Sequence, residues 1–324
     1  MGRLPWRDLG IDELRDGEGE PLWYAIDGAF RGGSSNSRPI NSDTRPNLLY
    51  HRSPAHPAEP IVAVILAPGA PLPGQRRTAD TRLDRHHYFE SFGPADNRRP
   101  GGPYMNGVDQ HQAPALNDRL LAITPPILFD VIERRVGNEL HQLLQSYRAR
   151  HGRWPAAAVP DSPACRRSTV ATRPEDGCLP AAGRCSGRLP APNLLNYRYE
   201  PSRAVWQLLP SAQRITVPAW LNVNLWHQVT FYAVDGNLID GAALPTAAQP
   251  CRAGLQLDGR AHAALLILPG APGEASGRQV QPYSAQLADY LIDPANQSAW
   301  TVGLPLDLHS PSRPNRLLLL DPIN

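Results

Sequence analysis

The chain has 324 residues, of which 41% are hydrophobic, so it can bury a substantial core and its length suits about two domains. Its formal net charge is +2, and its 32 basic residues are arginines scattered between acids, a pattern that excludes an extended phosphate-binding surface. Nucleic acid is therefore not an expected partner. No stretch reaches the roughly 20 apolar residues of a membrane-spanning helix, and no secretory signal follows Met1, which predicts a soluble chain.

Proline is frequent, with 36 residues concentrated in four parts of the chain. Because proline ends helices and central strands, these parts favour short strands and structured loops over helical repeats. We expect a loop-rich protein. The proline-rich parts are residues 38–73, 94–126, 155–192 and 269–322.

Two parts of the chain repeat the same short segments in the same order. The sequence WYAIDG at 23–28 corresponds to FYAVDG at 231–236, and both predict a buried strand that runs into a turn. The spacing is nearly equal, since Pro68 to Tyr88 is 20 positions and Pro269 to Tyr290 is 21. Four ordered matches predict an internal duplication, and the alternative is two unrelated sheets with common strand and turn sequences. The other matches are 64–71 with 265–272, 88–89 and 94–97 with 290–291 and 294–296, and 117–121 with 314–318.

The clearest helix signal lies between the two repeats. Thr124 is a suitable N-cap, Pro125 suits the first helical position, and Gly152 ends the pattern before Trp154 and Pro155. The predicted helix runs for about 26 residues from 125 to 150. Its apolar stripe is expected to lie on a sheet while Glu133 and other polar residues face elsewhere. The stripe consists of Leu128, Val131, Ile132, Val136, Leu140, Leu143, Leu144 and Tyr147.

Four cysteines are present, an even number without any C-x-x-C motif. This spacing predicts disulfides rather than a zinc site. Three pairings are possible and the sequence does not choose among them, and reduced buried thiols are the alternative. The disulfide candidates are Cys165, Cys178, Cys185 and Cys251.

The most reactive-looking cluster is residues 84–90, with Asp109 and His111 further along. Adjacent histidines on a strand point to opposite sides, so His86 and His87 are not expected to share a metal, and a solvated loop is the better interpretation. No G-x-S-x-G elbow, phosphate-binding loop or H-E-x-x-H motif is present. We expect no enzyme activity and assign no catalytic, cofactor-binding or metal-binding residue.

Several segments together carry a family resemblance. The long helix is followed by a Tyr-x-x-x-x-Gly-x-Trp-Pro element at 147–155, and the chain opens with Leu-Pro-Trp-x-x-Leu-Gly at 4–10. In these features the chain resembles the type IV pilins and type II secretion pseudopilins, in particular the large prepilin-type minor pilins of proteobacteria. The resemblance covers most of residues 3–155. It is also carried by residues 16–20, 22–25, 41–44, 62–70, 73–76 and 117–124.

The resemblance implies an α+β fold of two tandem pilin-like modules, each with a long helix packed on an antiparallel β-sheet. The first module is expected over 1–124 and the second over 125–324. Members of the family begin with a basic leader and a hydrophobic helix that carries a glutamate. This sequence has neither, so we expect a first module whose N-terminal helix is missing. Within the second module we expect a helix at about 125–150, a Cys/Pro-rich loop at 151–190 and a β-rich part at 191–324.

The resemblance also implies a structural role in a type IV pilus or type II secretion filament, through contacts with other pilins or pseudopilins, secreted cargo or a surface ligand. Membrane contact is expected only through the missing helix, and the location is the periplasm, the inner membrane or an extracellular pilus. The alternative is a periplasmic or cell-surface binding or adhesion module, and an uncharacterised hydrolase comes third. Some pseudopilins have a calcium loop, for which Asp289 and Asp293 are the candidates, but no dense oxygen-ligand pattern surrounds them and no cofactor is expected.

Overall fold

The chain belongs to the α+β class and divides into two compact units. The first unit comprises Met1–Ser37 and Arg45–Leu128, and the second comprises Arg38–Thr44 and Phe129–Asn324. The division lies close to the predicted boundary at 124, but the sequence did not predict that Arg38–Thr44 belongs to the second unit. The computed structural model describes residues 1–32, 38–107, 116–168, 173–241, 244, 251, 254–273, 276–302, 308 and 315–322.

The first unit is built on a four-stranded antiparallel sheet with the strand order β1-β2-β5-β9. In two further small sheets, β3 pairs with β4 and with β8, and β6 pairs with β7. The strands are β1 (Gly2–Arg3), β2 (Trp23–Ile26), β3 (Leu48–His51), β4 (Glu59–Ile61), β5 (Ala63–Ala67), β6 (Ser91–Phe92), β7 (Ala95–Asp96), β8 (Tyr104–Met105) and β9 (Arg119–Ile123).

The second unit has a five-stranded antiparallel sheet in which β10, β13, β15 and β16 follow one another and β14 also pairs with β15. A hairpin of β11 and β12 stands apart from it. Its strands are β10 (Ser186–Arg188), β11 (Tyr197–Glu200), β12 (Val205–Leu208), β13 (Phe231–Val234), β14 (Gln256–Leu257), β15 (Arg260–Leu268) and β16 (Arg316–Pro322). The helices are α1 (Pro125–His151), α2 (Pro163–Arg167), α3 (Ala219–Val223), α4 (Trp226–Val229) and α5 (Pro294–Val302).

Helix α1 packs closely on the sheet of the second unit at Gly137. A Cβ atom at that position would lie 2.8 Å from Leu318 Cδ1 and 3.3 Å from Leu268 Cδ1, so glycine lets the helix approach the strands. Two details of the predicted apolar stripe are wrong, because Val131 is 65% exposed and Glu133 is buried. Glu133 is tolerated there since its carboxylate accepts a hydrogen bond of 3.0 Å from the backbone N–H of Gly270.

The two sheets pair their repeated residues in the same register. Trp23 lies opposite Leu66 in the first unit, and the corresponding Phe231 lies opposite Ile267 in the second. The register of the last strand of each sheet, β9 or β16, agrees as well. Arg119 pairs with the residue before Pro68, and Arg316 pairs with the residue before Pro269. The repeat found in the sequence and the strand pairing therefore coincide.

The edge strands extend this correspondence to a segment that the sequence analysis missed. The same four residues, Gly-Arg-Leu-Pro, occur at 2–5 and 187–190, and strands β1 and β10 each end at the arginine. Arg3 lies 4.3 Å from the ring centroid of Trp23, and Arg188 lies 4.1 Å from that of Phe231. Each unit thus stacks an edge-strand arginine on the first aromatic residue of its neighbouring strand.

The Pro-Gly turns after β5 and β15 also share a supporting contact. Gly69 and Gly270 both have positive φ, of 64° and 74°, which glycine adopts without strain. The N–H of Gly69 donates to Asp16 at 2.9 Å, as that of Gly270 does to Glu133. A buried or half-buried carboxylate therefore holds the same turn in each unit.

Candidate functional site

All four cysteines form disulfides, Cys165–Cys178 and Cys185–Cys251, with Cα atoms 4.8 Å and 5.8 Å apart. His227 lies beside the first bridge, and one ligand atom from each of the three residues falls within 4.8 Å of the others. The sulfurs are bonded to each other, so they are not thiolate ligands for zinc in this state. Burial lowers the pKa of His227 to about 3, so the imidazole is neutral.

The histidines singled out in the sequence lie on a short 3₁₀ turn at Arg85–His87. His87 accepts a hydrogen bond of 3.0 Å from the backbone N–H of Arg76, which gives it a structural role. Asp109 and His111 lie outside the described residues. Asp289 accepts from Gly277 at 3.1 Å, whereas Asp293 accepts from Ala295 at 2.8 Å. These two carboxylates thus stabilise separate turns.

The sheet of the first unit buries one face and leaves the other half open. Trp23 and Leu66 are buried, whereas their strand neighbours Tyr24 and Ile65 are only partly buried. On the last strand, Leu121 is 62% exposed. The open face includes Tyr24, Ile65, Ala67 and Leu121, together with the exposed Arg119 opposite Ala67, and we call it the open sheet face.

The corresponding face of the second unit is closed. Strand β13 and the β15 residues from Ala264 to Leu268 are buried on both faces. The covering element is helix α1, which meets Leu268 and Leu318 at Gly137. Through the repeat these two leucines correspond to Ala67 and Leu121 of the open sheet face. An amphipathic helix therefore covers in one unit what is exposed in the other.

A second feature of the first unit is a cleft of about 640 Å³, which is within the size range of small-molecule sites. It is bordered by the turn after β5 on one side and by the segment from His86 to Ser91 on the other. The polar groups that line it are Gln75, His86, Glu90, Ser91 and Arg98.

Glu90 and Asp118 form a pair of carboxyl groups at this cleft. Glu90 lines the cleft and accepts from Gln75 Nε2 at 2.5 Å, while Asp118 is fully buried and accepts from Asn97 Nδ2 at 2.8 Å. Burial raises the pKa of Glu90, and burial together with the charge of Glu90 raises the pKa of Asp118 well above its usual range. The pair therefore holds a proton more readily than isolated carboxylates do, so that it both donates and accepts hydrogen bonds.

The second unit shows that the fold does not need this acid pair. At the positions equivalent to Glu90 and Asp118 it has Ile292 and Asn315, neither of which titrates. Asn315 Oδ1 accepts from the N–H of Ile292 at 3.4 Å, as Asp118 Oδ2 accepts from the N–H of Glu90 at 3.3 Å. The uncharged amide of Asn315 thus accepts the equivalent backbone hydrogen bond in the second unit. Sequence reasoning missed the pair, although the mismatch of Asp118 with Asn315 in the repeat was a usable signal.

We expect Asp118→Asn to stabilise the chain at pH 7 by about 1–3 kcal/mol, because it removes a buried acid that favours its protonated form. The raised pKa means that the stability contributed by the protonated acid is lost as pH rises through the folded-state pKa. The amide oxygen keeps the contacts with Asn97 and with the N–H of Glu90, and the amide N–H₂ group replaces the second carboxyl oxygen. Urea unfolding at pH 5 and pH 7 measures the effect, which is expected to be larger at pH 7.

Asp96→Asn is the control with the opposite sign. Hydrogen bonds from Arg98 lower the pKa of Asp96 although its burial opposes them, so this substitution is expected to destabilise the chain at pH 7. If Asp118→Asn destabilises the chain equally at both pH values, the acid pair is a structural requirement of the first unit.

Comparison with protein-family models, with curated proteins and with solved structures found no match to this chain. Among the described residues, no helix has the length and apolar character needed to cross a membrane.

Proposed function

We propose that the chain is a structural component of a type IV pilus or type II secretion filament, of the minor pilin or pseudopilin kind, that acts through contacts with other proteins. The observation that carries this proposal is the open sheet face. It is the counterpart of a surface that the same chain covers with the long helix α1 in its second unit. Two further features agree with it, namely the long helix on an antiparallel sheet and two disulfides, which suit an oxidising compartment such as the periplasm.

The chemistry of the open sheet face matches an amphipathic helix. Ile65 and Leu121 supply apolar surface, and burying a side chain of this size contributes about 1.5–3 kcal/mol. The counterpart contact in the second unit uses Gly137 to bring the helix close to the leucines of the sheet. A helix with an apolar stripe and a small residue at its centre is therefore the partner element that this face fits best.

The experiment is a pull-down of sheared filament fractions with the purified chain, with captured proteins identified by mass spectrometry. Leu121→Glu places a charge on the open sheet face and is expected to weaken capture of pilins or pseudopilins by at least about tenfold. Leu83→Glu is the matched control, because Leu83 is 67% exposed in a loop, and it is expected to capture as the native chain does.

Two outcomes would count against the filament role. Equal capture by Leu121→Glu and the native chain would mean that the open sheet face is not the contact. No enrichment of pilins or pseudopilins over a fraction from cells that lack them would remove the role itself.

The second candidate is a binding or adhesion module, and the acid pair favours it. Glu90 lines the cleft and forms a titrating pair with the buried Asp118, whereas the second unit has Ile292 and Asn315 at the equivalent positions. A mixed set of hydrogen-bond donors and acceptors suits a neutral polar ligand. Saturable binding of such a ligand, lost in Asp118→Asn while filament capture remains, would favour this function.

A further inference from the structure

The C-terminal end of helix α1 borders a cavity of about 310 Å³ in the second unit. Its wall consists of Arg150 and His151 from the last turn of the helix, Arg198 from strand β11, and Ala212 and Gln213 from a short 3₁₀ turn. None of the described residues that line this cavity is acidic. Two arginine side chains and one histidine side chain therefore meet at this cavity.

A buried network holds two of these side chains in place. Asp240 accepts from the hydroxyl of Tyr147 at 3.0 Å and from Arg198 Nη2 at 3.1 Å. The rings of Tyr147 and His151 lie 4.3 Å apart, between centroids. The cavity wall is therefore anchored to the core of the unit rather than formed by unconstrained surface side chains.

The hydrogen-bond pattern fixes the state of His151. Arg198 Nη2 lies 3.0 Å from His151 Nδ1, and since a guanidinium only donates, Nδ1 is the acceptor and the proton is on Nε2. Burial, followed by the charge of Arg198, lowers the pKa of His151, which agrees with a neutral ring. His151 Nε2 and Arg198 Nε are both buried and have no hydrogen-bond partner among the residues that the structure describes.

The charges at the cavity leave one cation without a counter-ion. Asp240 neutralises Arg198 through the ion pair at 3.1 Å. Arg150 is exposed and makes no ion pair or hydrogen bond with the described residues. One uncompensated positive charge with neighbouring N–H donors is suited to a monoanion with two coplanar oxygens, which a guanidinium binds with two parallel hydrogen bonds.

We propose that this cavity binds the carboxylate group of a small molecule, with Arg150 as the charged anchor and the amide of Gln213 as a further donor. The site is separate from the open sheet face, and it goes beyond the filament role because it adds a ligand. A single carboxylate suits the cavity better than a phosphate dianion, since only one charge is unmatched. The volume lies at the lower end of small-molecule sites and admits an aromatic acid.

Benzoate and benzamide are matched probes, because they have the same shape and differ in charge. With the full chain, calorimetry or ligand-observed NMR is expected to show saturable benzoate binding, at least about tenfold tighter than benzamide. Arg150→Gln is expected to weaken benzoate binding by about tenfold or more without affecting the fold, since Arg150 makes no hydrogen bond or ion pair with the described part of the chain. Arg203→Gln, on the exposed turn between β11 and β12, is the control and is expected to bind as the native chain does.

Three results would overturn the proposal. They are equal binding of benzoate and benzamide, unchanged benzoate binding in Arg150→Gln, and an absence of saturable benzoate binding. Inorganic phosphate is the remaining probe, and phosphate that binds more tightly than benzoate would overturn the assignment to carboxylates. None of these results bears on the open sheet face, so the filament role is tested separately.

Discussion

Replacing Asp43 with alanine is expected to destabilise the second unit by about 3–5 kcal/mol, because it removes one partner of a buried ion pair. Asp43 Oδ1 accepts from Arg278 Nε at 2.7 Å, and Oδ2 accepts from the hydroxyl of Tyr290 at 2.9 Å. The side chains of Asp43 and Arg278 are 0% and 2% exposed. Without the carboxylate, the charge of Arg278 remains in the interior with no counter-charge from Asp43. Urea unfolding at pH 7 measures the loss.

Two further variants separate the ion pair from the other contacts of Asp43. Tyr290→Phe removes the hydrogen bond to the carboxylate and the one that the hydroxyl accepts from the N–H of Ser284, and it is expected to cost about 1–3 kcal/mol. The double variant of Asp43→Ala with Arg278→Met is expected to be more stable than Asp43→Ala alone, because it removes the stranded charge. If the double variant is the less stable of the two, packing of the Arg278 side chain outweighs its charge.

The ion pair between Asp43 and Arg278 could not be predicted from the sequence. Asp43 and Arg278 are 235 positions apart, and residues 41–44 were known only as part of a family resemblance. In the structure these residues are buried, and Asn41 Nδ2 donates to the carbonyl of Asn224 at 3.0 Å. No local pattern of periodicity or capping signals such a long-range contact, so the place of Arg38–Thr44 in the second unit could not be predicted.

The sheets, by contrast, could largely be predicted from the repeat. Matching WYAIDG with FYAVDG aligned the strands so well that equivalent residues pair in the same register in both units. The turn residues that follow, Asp27 and Asp235, also agree, since each side chain accepts from the backbone two residues on. Strands, turns and their order are encoded locally, which is why a comparison within one chain finds them.

The candidate sites were harder to predict from the sequence, because they depend on which face of the sheet or helix a side chain occupies. Glu90 and Asp118 are 28 positions apart and meet only through the fold. Arg150, His151 and Arg198 likewise come from a helix end and a strand that the sequence does not relate. The repeat would have helped with the first pair, since a comparison of its two copies position by position separates residues that the fold requires from residues that only one copy has.

Glu133→Gln is expected to stabilise the chain at pH 8 by about 3 kcal/mol and to remove much of its pH dependence. Burial of the carboxyl group on the sheet side of α1 raises the pKa of Glu133 from 4.5 to about 7. Because the folded-state pKa lies above the unfolded value, the folded chain holds the proton more tightly. The stabilisation that protonated Glu133 contributes to the folded chain is complete below about pH 4.5 and is lost as the pH rises through about 7.

The glutamine keeps the acceptor oxygen for the N–H of Gly270 and supplies an N–H where the protonated acid had its O–H. Free energies of unfolding measured in urea from pH 5 to pH 8 are therefore expected to fall for the native chain and to stay flatter for the variant. Glu139→Gln, on the same helix at a partly exposed position, is the matched control and is expected to follow the native curve. Parallel curves for Glu133→Gln and the native chain would mean that Glu133 is ionised in the folded state at pH 5. The Pro-Gly turn after β15 would then be held by a charged carboxylate.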